Sequence, residues 1–380
     1  MHILFSIAND SYVPYFNWFA RKSLDFPQIK ISFLCFYKEE PRMLKDMKPY
    51  GCDVFWIKYD DSKRKRGLLL CLPKVLQLLC KIKPDVVHAH LFDDALMLLT
   101  VAKLIGIKFR GITKGDACYH YFYTPQWMIF DRLNNFCATH IIAVSEENRK
   151  FIIRKEKAAI EKLHMIHHGI PSADYLKRSP KKIKDFRIRY NLDGFFVYGS
   201  VGRLELNKGM IDVVKAAIKL EKKTNIKYKF LIAGEGAQKA AINKLIEEEK
   251  LHDKIILLGW VDEEDIPGLY ANLDVYVHAS HFETFGFVIA EAMMCGLPVI
   301  ATKSSGAARD AIEHKKNGFL FDYGDLDALT EGLLYYSEKQ TEKFKSETIQ
   351  KAIEMFDFDV MWNNYVSLYQ NSLNHIDETK

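Results

Sequence analysis

Short apolar runs alternate with longer segments of helical character along this chain. In the first half, the runs that predict strands are His2–Ala8, Ile31–Phe36, Val54–Ile57, Val86–Ala89 and Ile141–Val144. The alternation restarts in the second half, with strands predicted at Phe196–Val201, Phe230–Ala233, Ile255–Leu258, Asp274–His278 and Val299–Ala301. Alternation of this kind favours parallel sheets covered by helices on both faces. The pattern therefore predicts an α/β protein.

The chain is long enough for two domains of ordinary size, since it has 380 residues. Between the two alternating halves, Ser172–Tyr190 is polar and rich in lysine and arginine, and it predicts a linker followed by the first helix of the second domain. The N-terminus lacks a charged segment before its apolar residues, so it is interpreted as a first strand and not as a signal peptide. No apolar run reaches the roughly 18 residues that a membrane span needs.

Charge and cysteine content narrow the function classes. The formal net charge of +5 is too small to indicate nucleic-acid binding, but it suits anionic substrates or an anionic membrane surface. The seven cysteines form no C-x-x-C pair and most lie in apolar surroundings, which is typical of reduced thiols in a cytoplasmic protein. We therefore expect a cytoplasmic protein that does not bind nucleic acid.

The stretch from Ser280 to Thr302 predicts a loop, a short helix and a strand. Gly296 and Pro298 mark the end of the helix, because glycine often closes helices and proline cannot continue them. Within Phe287–Met294 every side chain is apolar except that of Glu291. Because burying a carboxylate without hydrogen-bond donors is costly, another protein group or a ligand hydroxyl must contact Glu291.

Glu283 lies eight positions before Glu291, where this helix is predicted to begin. The first amides of a helix lack internal partners and favour an anion, and Gly286 lets a ligand approach the backbone closely. The stretch thus suits a ligand that carries both phosphates and hydroxyls, such as a nucleotide sugar. Two glutamates at this spacing are weak support alone, and the alternative is a buried helix whose glutamate is satisfied in the core.

The whole stretch, from S-x-x-E-T-F-G through the second glutamate to G-L-P-V-I, resembles the E-x7-E motif of retaining family 4 glycosyltransferases. The resemblance spans Lys83–Tyr369 and extends to Pro84–His90, Ala143–Glu146, His168–Ile170, Gly202–Gly209, Phe230–Gly236, Ile255–Val261, Gly306–Ile312 and Asn317–Leu320. It implies the GT-B fold, with two Rossmann-like domains facing a central cleft. Residues 1–170 would bind the acceptor, residues 171–356 the nucleotide sugar, and the last helix, in residues 357–380, would cross back to the first domain.

The same resemblance implies a hexosyltransferase reaction that retains the anomeric configuration. A UDP- or GDP-linked sugar would pass to a hydroxyl of a glycan or lipid-linked acceptor in cell-envelope polysaccharide or glycoconjugate synthesis, without cofactor or protein nucleophile. The implied catalytic residues are Glu283, Arg203 and Lys208, the two cations stabilising the leaving diphosphate. The implied donor-binding residues are Glu291 on the ribose, Phe285, Gly286, Phe287, Val288, Gly202, Gly234 and Trp260.

Two segments depart from the family pattern. Ser11–Asn17 contains no glycine where relatives carry a Gly-Gly loop, and its two tyrosines and proline predict a bulkier loop. Near Thr113 relatives carry a histidine that this chain lacks. Lys114, Asp116 and His120 are the candidates to replace it on the acceptor side, and an ordinary loop between strand and helix is the alternative.

A basic cluster, Lys63, Arg64, Lys65 and Arg66, precedes the leucine-rich segment GLLLCLPKVLQLLCKIK. One interpretation is an amphipathic segment that docks on anionic lipid at the inner face of the plasma membrane. The other is a helix that packs on the core behind a solvated run of charges. We favour the second for the leucines and leave the role of the basic cluster open.

Two D-x-D triplets, Asp325–Asp327 and Asp357–Asp359, could hold a metal on sugar-nucleotide phosphates. Both precede helical segments, where aspartate is an ordinary cap, so we predict capping and no metal. Other functions stay open: a GT-B epimerase or phosphorylase, or a non-catalytic GT-B partner subunit. A dinucleotide-dependent oxidoreductase is disfavoured because no G-x-G-x-x-G follows the first strand.

Overall fold

Strands and helices alternate through both halves of the computed structural model, which describes residues 1–8, 14–116, 118–177, 179–339 and 345–377. Within these ranges the strands are β1 (His2–Ile7), β2 (Lys30–Tyr37), β3 (Asp53–Lys58), β4 (Val86–Ala89), β5 (Phe109–Thr113), β6 (His140–Ala143), β7 (Leu163–Met165), β8 (Phe196–Val201), β9 (Tyr228–Ala233), β10 (Ile255–Gly259), β11 (Val275–His278), β12 (Val299–Thr302) and β13 (Gly318–Phe321). The predicted strands are all present, and the sequence pattern missed β5, β7 and β13.

The α-helices of the described residues are α1 (Pro14–Ser23), α2 (Met43–Asp46), α3 (Arg64–Ile82), α4 (Asp93–Leu104), α5 (Tyr119–Tyr123), α6 (Met128–Cys137), α7 (Glu146–Arg154), α8 (Ser172–Leu176), α9 (Pro180–Arg189), α10 (Met210–Glu221), α11 (Lys239–Glu248), α12 (Ile266–Tyr270), α13 (Phe287–Met294), α14 (Gly306–Ala311), α15 (Leu326–Ser337), α16 (Lys345–Phe356) and α17 (Phe358–Asp377). Short 3₁₀ helices occupy Lys48–Tyr50, Asp61–Lys63, Pro125–Trp127, Ile160–Lys162 and Leu206–Lys208. None of the described helices is both long enough and apolar enough to cross a membrane.

The chain divides into two units, one formed by Met1–His167 with Met361–Lys380 and the other by His168–Val360. In the described part of the first unit, seven parallel strands lie in the order β3-β2-β1-β4-β5-β6-β7. The second unit's described residues form six parallel strands in the order β10-β9-β8-β11-β12-β13. This confirms the α/β architecture with two Rossmann-like domains.

The strands are almost continuously apolar because helices cover both faces of each sheet. In the first unit, Leu4, Leu34 and Val87 are buried in the core, and in the second Phe230, Val277 and Ile300 are buried in theirs. In each sheet the strand order reverses once, between β1 and β4 and between β8 and β11. Open α/β sheets bind ligands at the carboxyl ends of strands beside such a reversal.

The last helix, α17, packs its aromatic side chains on the first unit. The Tyr365 hydroxyl lies 2.7 Å from the hydroxyl of Thr113, and the Tyr369 hydroxyl lies 2.6 Å from Nδ1 of His88. The indole of Trp362 lies 5.7 Å from the ring of Phe19. These contacts confirm that the C-terminal helix returns to the N-terminal domain.

Two segments near the first sheet refine the sequence predictions. The bulky loop predicted at Ser11–Asn17 is wrong from Pro14 onward, because α1 begins there, and residues 9–13 lie outside the described ranges. Helix α3 places Val75 and Leu79 in the core and leaves Leu69 exposed, so the core-facing interpretation holds for one face only.

Candidate functional site

A pocket opens in the second unit at the carboxyl ends of β8 and β11, the two strands between which the strand order reverses. Its lining residues are Val201, Gly202, Arg203, Lys208, Met210, His278, Ser280, Glu283, Gly286, Phe287 and Val288. The pocket therefore combines two cations, a carboxylate, an imidazole and the start of a helix. Seven of the residues that the sequence singled out line it.

Glycines bring the loops of this pocket into backbone contact. Gly234 follows β9 with φ of 141°, and a Cβ there would lie 1.9 Å from the carbonyl oxygen of Gly202. Gly209 has φ of 66°, and a Cβ there would lie 2.1 Å from the carbonyl oxygen of Ala279. Only glycine fits such close approaches. They hold the loop that carries Lys208 against the end of β11.

Lys208 and Glu283 form the central ion pair of the pocket. The Lys208 ammonium lies 2.5 Å from Oε2 of Glu283, and Nε2 of His278 lies 3.9 Å from the same oxygen. The Lys208 and Glu283 side chains are 17% and 22% exposed, so a ligand that enters the pocket can reach both. Burial is the main cause that lowers the pKa of His278 to about 4, and Lys208 adds to it, so its imidazole is neutral at pH 7.

Helix α13 begins at the pocket. Its N-cap, Gly286, has a left-handed φ of 91° and no side chain that could cap the first amides. The next residues, Phe287 and Val288, line the pocket. An anion in the pocket can therefore meet the positive end of the helix. Phe285 does not line it: the ring is buried and packs 5.2 Å from Phe287.

Glu291 lies one turn along α13 and is contacted by a protein group, one of the two possibilities that the sequence left open. The Tyr270 hydroxyl donates to its Oε2 at 2.9 Å. Burial raises the pKa of Glu291 to about 7, although hydrogen bonds from Tyr270 and Tyr175 oppose this shift. Glu291 is absent from the lining of the pocket described above, as are Gly234 and Trp260. The Trp260 side chain is 76% exposed after β10.

The acceptor-side candidates lie in the first unit, at the ends of β4 and β5. Lys114 is 3% exposed and its ammonium lies 2.8 Å from Oε2 of Glu156, which is fully buried. His120 Nδ1 lies 2.9 Å from Oδ2 of Asp131, another buried carboxylate. Burial raises the pKa of Glu156, and Lys114 opposes the shift. Two of the three candidates are thus paired inside the unit, and their acceptor role stays a prediction.

Asp116, the third candidate, is exposed and lines a small cavity together with Lys114, Thr113 and His90. The D-x-D residues lie elsewhere. Asp325 caps α15 by accepting from the Ala328 amide at 2.9 Å, as predicted, and Asp357 accepts from the Asp359 amide at 2.8 Å. Among the described residues, no three histidine, cysteine or acidic side chains are grouped as metal ligands.

Two groups at the site were not predicted from the sequence. His278 was assigned only to a strand, yet its imidazole lines the pocket beside Glu283. Tyr270, at the end of α12, supplies a donor to Glu291 from 21 residues away. A polar residue at the carboxyl end of an apolar strand was the available signal for His278, and no local pattern marks Tyr270.

The chain is similar to known glycosyltransferases in both of its units. The family model described as "Glycosyl transferases group 1" matches residues 182–355, which include the pocket, and "Glycosyltransferase Family 4" matches residues 33–174. The chain belongs to the family 4 glycosyltransferases. The residues of this family member that form the pocket all fall within the first of the two matches.

Individual relatives agree with this assignment. The chain is 27% identical over 254 residues to the capsular polysaccharide biosynthesis glycosyltransferase CapM of Staphylococcus aureus, covering 64% of this chain and 65% of that one. It is 29% identical over 197 residues to the O-antigen chain mannosyltransferase B of Escherichia coli, covering 51% and 50%. The matches thus span about half to two thirds of the length of these curated relatives.

Solved structures extend the likeness to nearly the whole chain. The Anabaena protein Alr3699/HepE, solved in complex with UDP, superposes with a TM-score of 0.81 at 21% identity, covering 98% of this chain and 100% of that one. At this identity the likeness shows the fold, and that fold is GT-B.

Proposed function

We propose that this protein transfers a hexosyl group from a nucleoside diphosphate sugar to a hydroxyl of a glycan or lipid-linked acceptor, with retention at the anomeric carbon. The observation that carries the proposal is the convergence of Arg203, Lys208 and the start of α13 on one pocket beside Glu283. Two cations and a helix N-terminus suit a diphosphate, and the adjacent carboxylate suits sugar hydroxyls.

The diphosphate binds where its charge grows during the reaction. As the bond between the anomeric carbon and the phosphate oxygen breaks, Arg203 and Lys208 stabilise the leaving diphosphate. The acceptor hydroxyl forms the new bond on the same face of the sugar and gives its proton to the departing diphosphate. Glu283 accepts hydrogen bonds from the donor sugar, and Glu291 accepts them from the ribose. No covalent sugar–protein intermediate is needed.

Names of related proteins support the choice of donor and acceptor. The Anabaena structure holds UDP, which favours a UDP-linked donor over a GDP-linked one. The two curated relatives are named for capsular polysaccharide and O-antigen synthesis, which favours a cell-envelope glycan as the product. We extend both inferences to this chain as part of the proposal.

Helix α3 supports contact with an anionic membrane surface, where a lipid-linked acceptor would lie. Leu69, Leu70 and Leu76 are 69%, 59% and 42% exposed, and α3 contains no acidic residue. Arg64 of the basic cluster points elsewhere, since its Nε donates to Asp93 at 2.8 Å. The side chains of Lys63 and Lys65 lie outside the described part of the chain. Among the described groups, Arg66 and the exposed leucines are those that we expect to meet lipid headgroups and acyl chains.

Calorimetry with UDP and with GDP, in the presence of EDTA, tests the donor site. The native chain should bind one diphosphate without metal, and Glu291→Ala should weaken that binding at least tenfold through loss of the ribose contact. Glu247→Ala, on the exposed surface of α11, is the matched control and should bind as the native chain does. Failure of both nucleotides to bind would remove the basis of the proposal, and binding restored only by a divalent cation would contradict its metal independence.

A further inference from the structure

His278 occupies an unusual position in the pocket. It is the last residue of β11, and its side chain is 5% exposed. Within the described part of the chain, its Nε2 has no hydrogen-bond partner. A buried polar atom without a partner is costly, so the position calls for a functional explanation.

The neighbours of Nε2 point to Glu283. The distance of 3.9 Å to Oε2 of Glu283 exceeds a hydrogen bond by about 1 Å. Lys208 already holds that oxygen at 2.5 Å. Among the described residues that line the pocket, the other ionisable side chain is Arg203, and the neighbouring ring of Tyr276 lies 6.4 Å from the imidazole between centroids. One carboxylate oxygen thus has one donor in contact and an unpaired imidazole nitrogen close by.

A bound diphosphate changes this arrangement. Its oxygens attract the Lys208 ammonium, which also neutralises Glu283. The diphosphate and Glu283 therefore compete for one cation, and the contact between Lys208 and Glu283 weakens. We propose that His278 is a positioning residue for Glu283, whose carboxylate it takes over as hydrogen-bond donor when the diphosphate of the donor draws Lys208 away. The inference rests on the proposed function. It assigns Glu283 two alternating partners and keeps its carboxylate oriented toward the sugar.

The exchange has a consequence for protons. In the free protein burial lowers the pKa of His278 to about 4, Glu283 opposes this shift, and Lys208 adds to it. A diphosphate in the pocket adds negative charge, and a closer Glu283 adds more, so both raise that pKa. Because the bound state then holds the proton more tightly, UDP binding takes up protons at acid pH, and UDP binds more tightly there. This gain in affinity is lost as the pH rises through the higher pKa of the bound state.

Proton uptake on UDP binding is therefore the decisive measurement. Calorimetry of the full chain with UDP at about pH 5.5, in buffers of different ionisation enthalpy, counts the protons taken up. The nucleotide and Glu291 contribute equally in every variant, so a difference between native protein and His278→Asn isolates His278. We expect the native chain to take up on the order of half a proton more than His278→Asn.

Three variants complete the design. His278→Asn keeps an N–H donor but does not titrate. His278→Leu has neither a donor nor a titrating group, so it should also bind UDP about three- to tenfold more weakly at this pH. His252→Asn, on the exposed loop after α11, should behave as the native chain. Equal proton uptake in the native chain and in His278→Asn, with UDP bound normally, would overturn the inference alone. If neither UDP nor GDP binds at all, the proposed donor site fails and the inference fails with it.

Discussion

The two units share one architecture but treat their charges in opposite ways. In the second unit, Lys208 and Glu283 pair at the mouth of a pocket with 17% and 22% of their side chains exposed. In the first unit, Lys114 and Glu156 pair at 3% and 0% exposure. Lys208 and Glu283 follow β8 and β11, which flank the reversal of strand order in the second sheet, whereas Lys114 follows β5, one strand beyond the reversal in the first sheet. The two pairs thus differ in accessibility and not in the presence of charge, and the more exposed pair is the one better placed to exchange partners with a ligand.

The buried pair belongs to a larger network. One carboxylate oxygen of Asp131 lies 3.9 Å from the Lys114 ammonium, and the other lies 2.9 Å from Nδ1 of His120. Glu156 also accepts a hydrogen bond from the side-chain amide of Asn135 at 3.0 Å. Buried charges of this kind are destabilising when one partner is removed, because the remaining charge stays desolvated. We therefore infer that the network in the first unit maintains structure, whereas the pair in the second serves the ligand.

Lys114→Met should produce the largest effect and tests this contrast directly. It leaves Glu156 and Asp131 without their ammonium, so the free energy of unfolding should fall by about 3–5 kcal/mol. Urea unfolding followed by circular dichroism measures the loss. The double variant Lys114→Met, Glu156→Gln should recover most of the lost free energy of unfolding, because the carboxylate that Lys114 neutralised is then also removed. If Lys114→Met lowered the free energy of unfolding by less than about 1 kcal/mol, as expected for an exposed ion pair, the network would not be structural.

How far the sequence predicted these two regions depends on the range of the contacts involved. The apolar runs predicted ten strands, and the motif around Lys208 and the helix start near Glu283 are local patterns, which the fold brings together. Strand β5 was not predicted because Arg110 interrupts its apolar run. In the fold the Arg110 guanidinium donates a hydrogen bond to the Cys137 carbonyl oxygen at 2.8 Å. The pairing of Lys114 with Glu156 joins residues far apart in the chain, and no local pattern encodes such a contact.

Glu291 stands between the two extremes, because it is half-buried and shares a hydrogen bond with Tyr270. Burial raises its pKa from 4.5 to about 7. The folded state therefore holds the proton more tightly than the unfolded state does. The free energy of unfolding consequently falls as the pH rises from 4.5 to 7. The full loss above pH 7 is about 3 kcal/mol.

Glu291→Gln removes this titration while keeping the shape of the side chain. We expect the urea midpoint of the native chain to decrease when the pH is raised from about 5 to about 8, and to decrease more than that of the glutamine variant. Glu247→Gln, on the exposed surface of α11, is the control and should track the native chain at both pH values. Parallel pH profiles of Glu291→Gln and native protein would mean that Glu291 is ionised in the folded state at pH 5, like an exposed carboxylate.

Lys208→Met should reverse the pattern of Lys114→Met. Its ion pair is partly exposed, so the free energy of unfolding should change by less than about 1 kcal/mol. Loss of a charged donor to the diphosphate should weaken UDP binding roughly 10- to 100-fold. Calorimetry and urea unfolding on the same preparation give both numbers. A variant that unfolds easily yet binds UDP normally would erase the distinction between the two pairs.

Asp325→Ala probes a carboxylate that belongs to neither pair and should have the smallest combined effect on stability and UDP binding. Asp325 caps α15 through the Ala328 amide, so its loss should cost about 1 kcal/mol of unfolding free energy. If the D-x-D triplet held a metal on the donor phosphates, the same change would also weaken UDP binding in the presence of Mg²⁺ and leave it unaltered in EDTA. We expect equal UDP affinity in both conditions for native protein and variant, because capping uses the carboxylate and leaves it no part in donor binding.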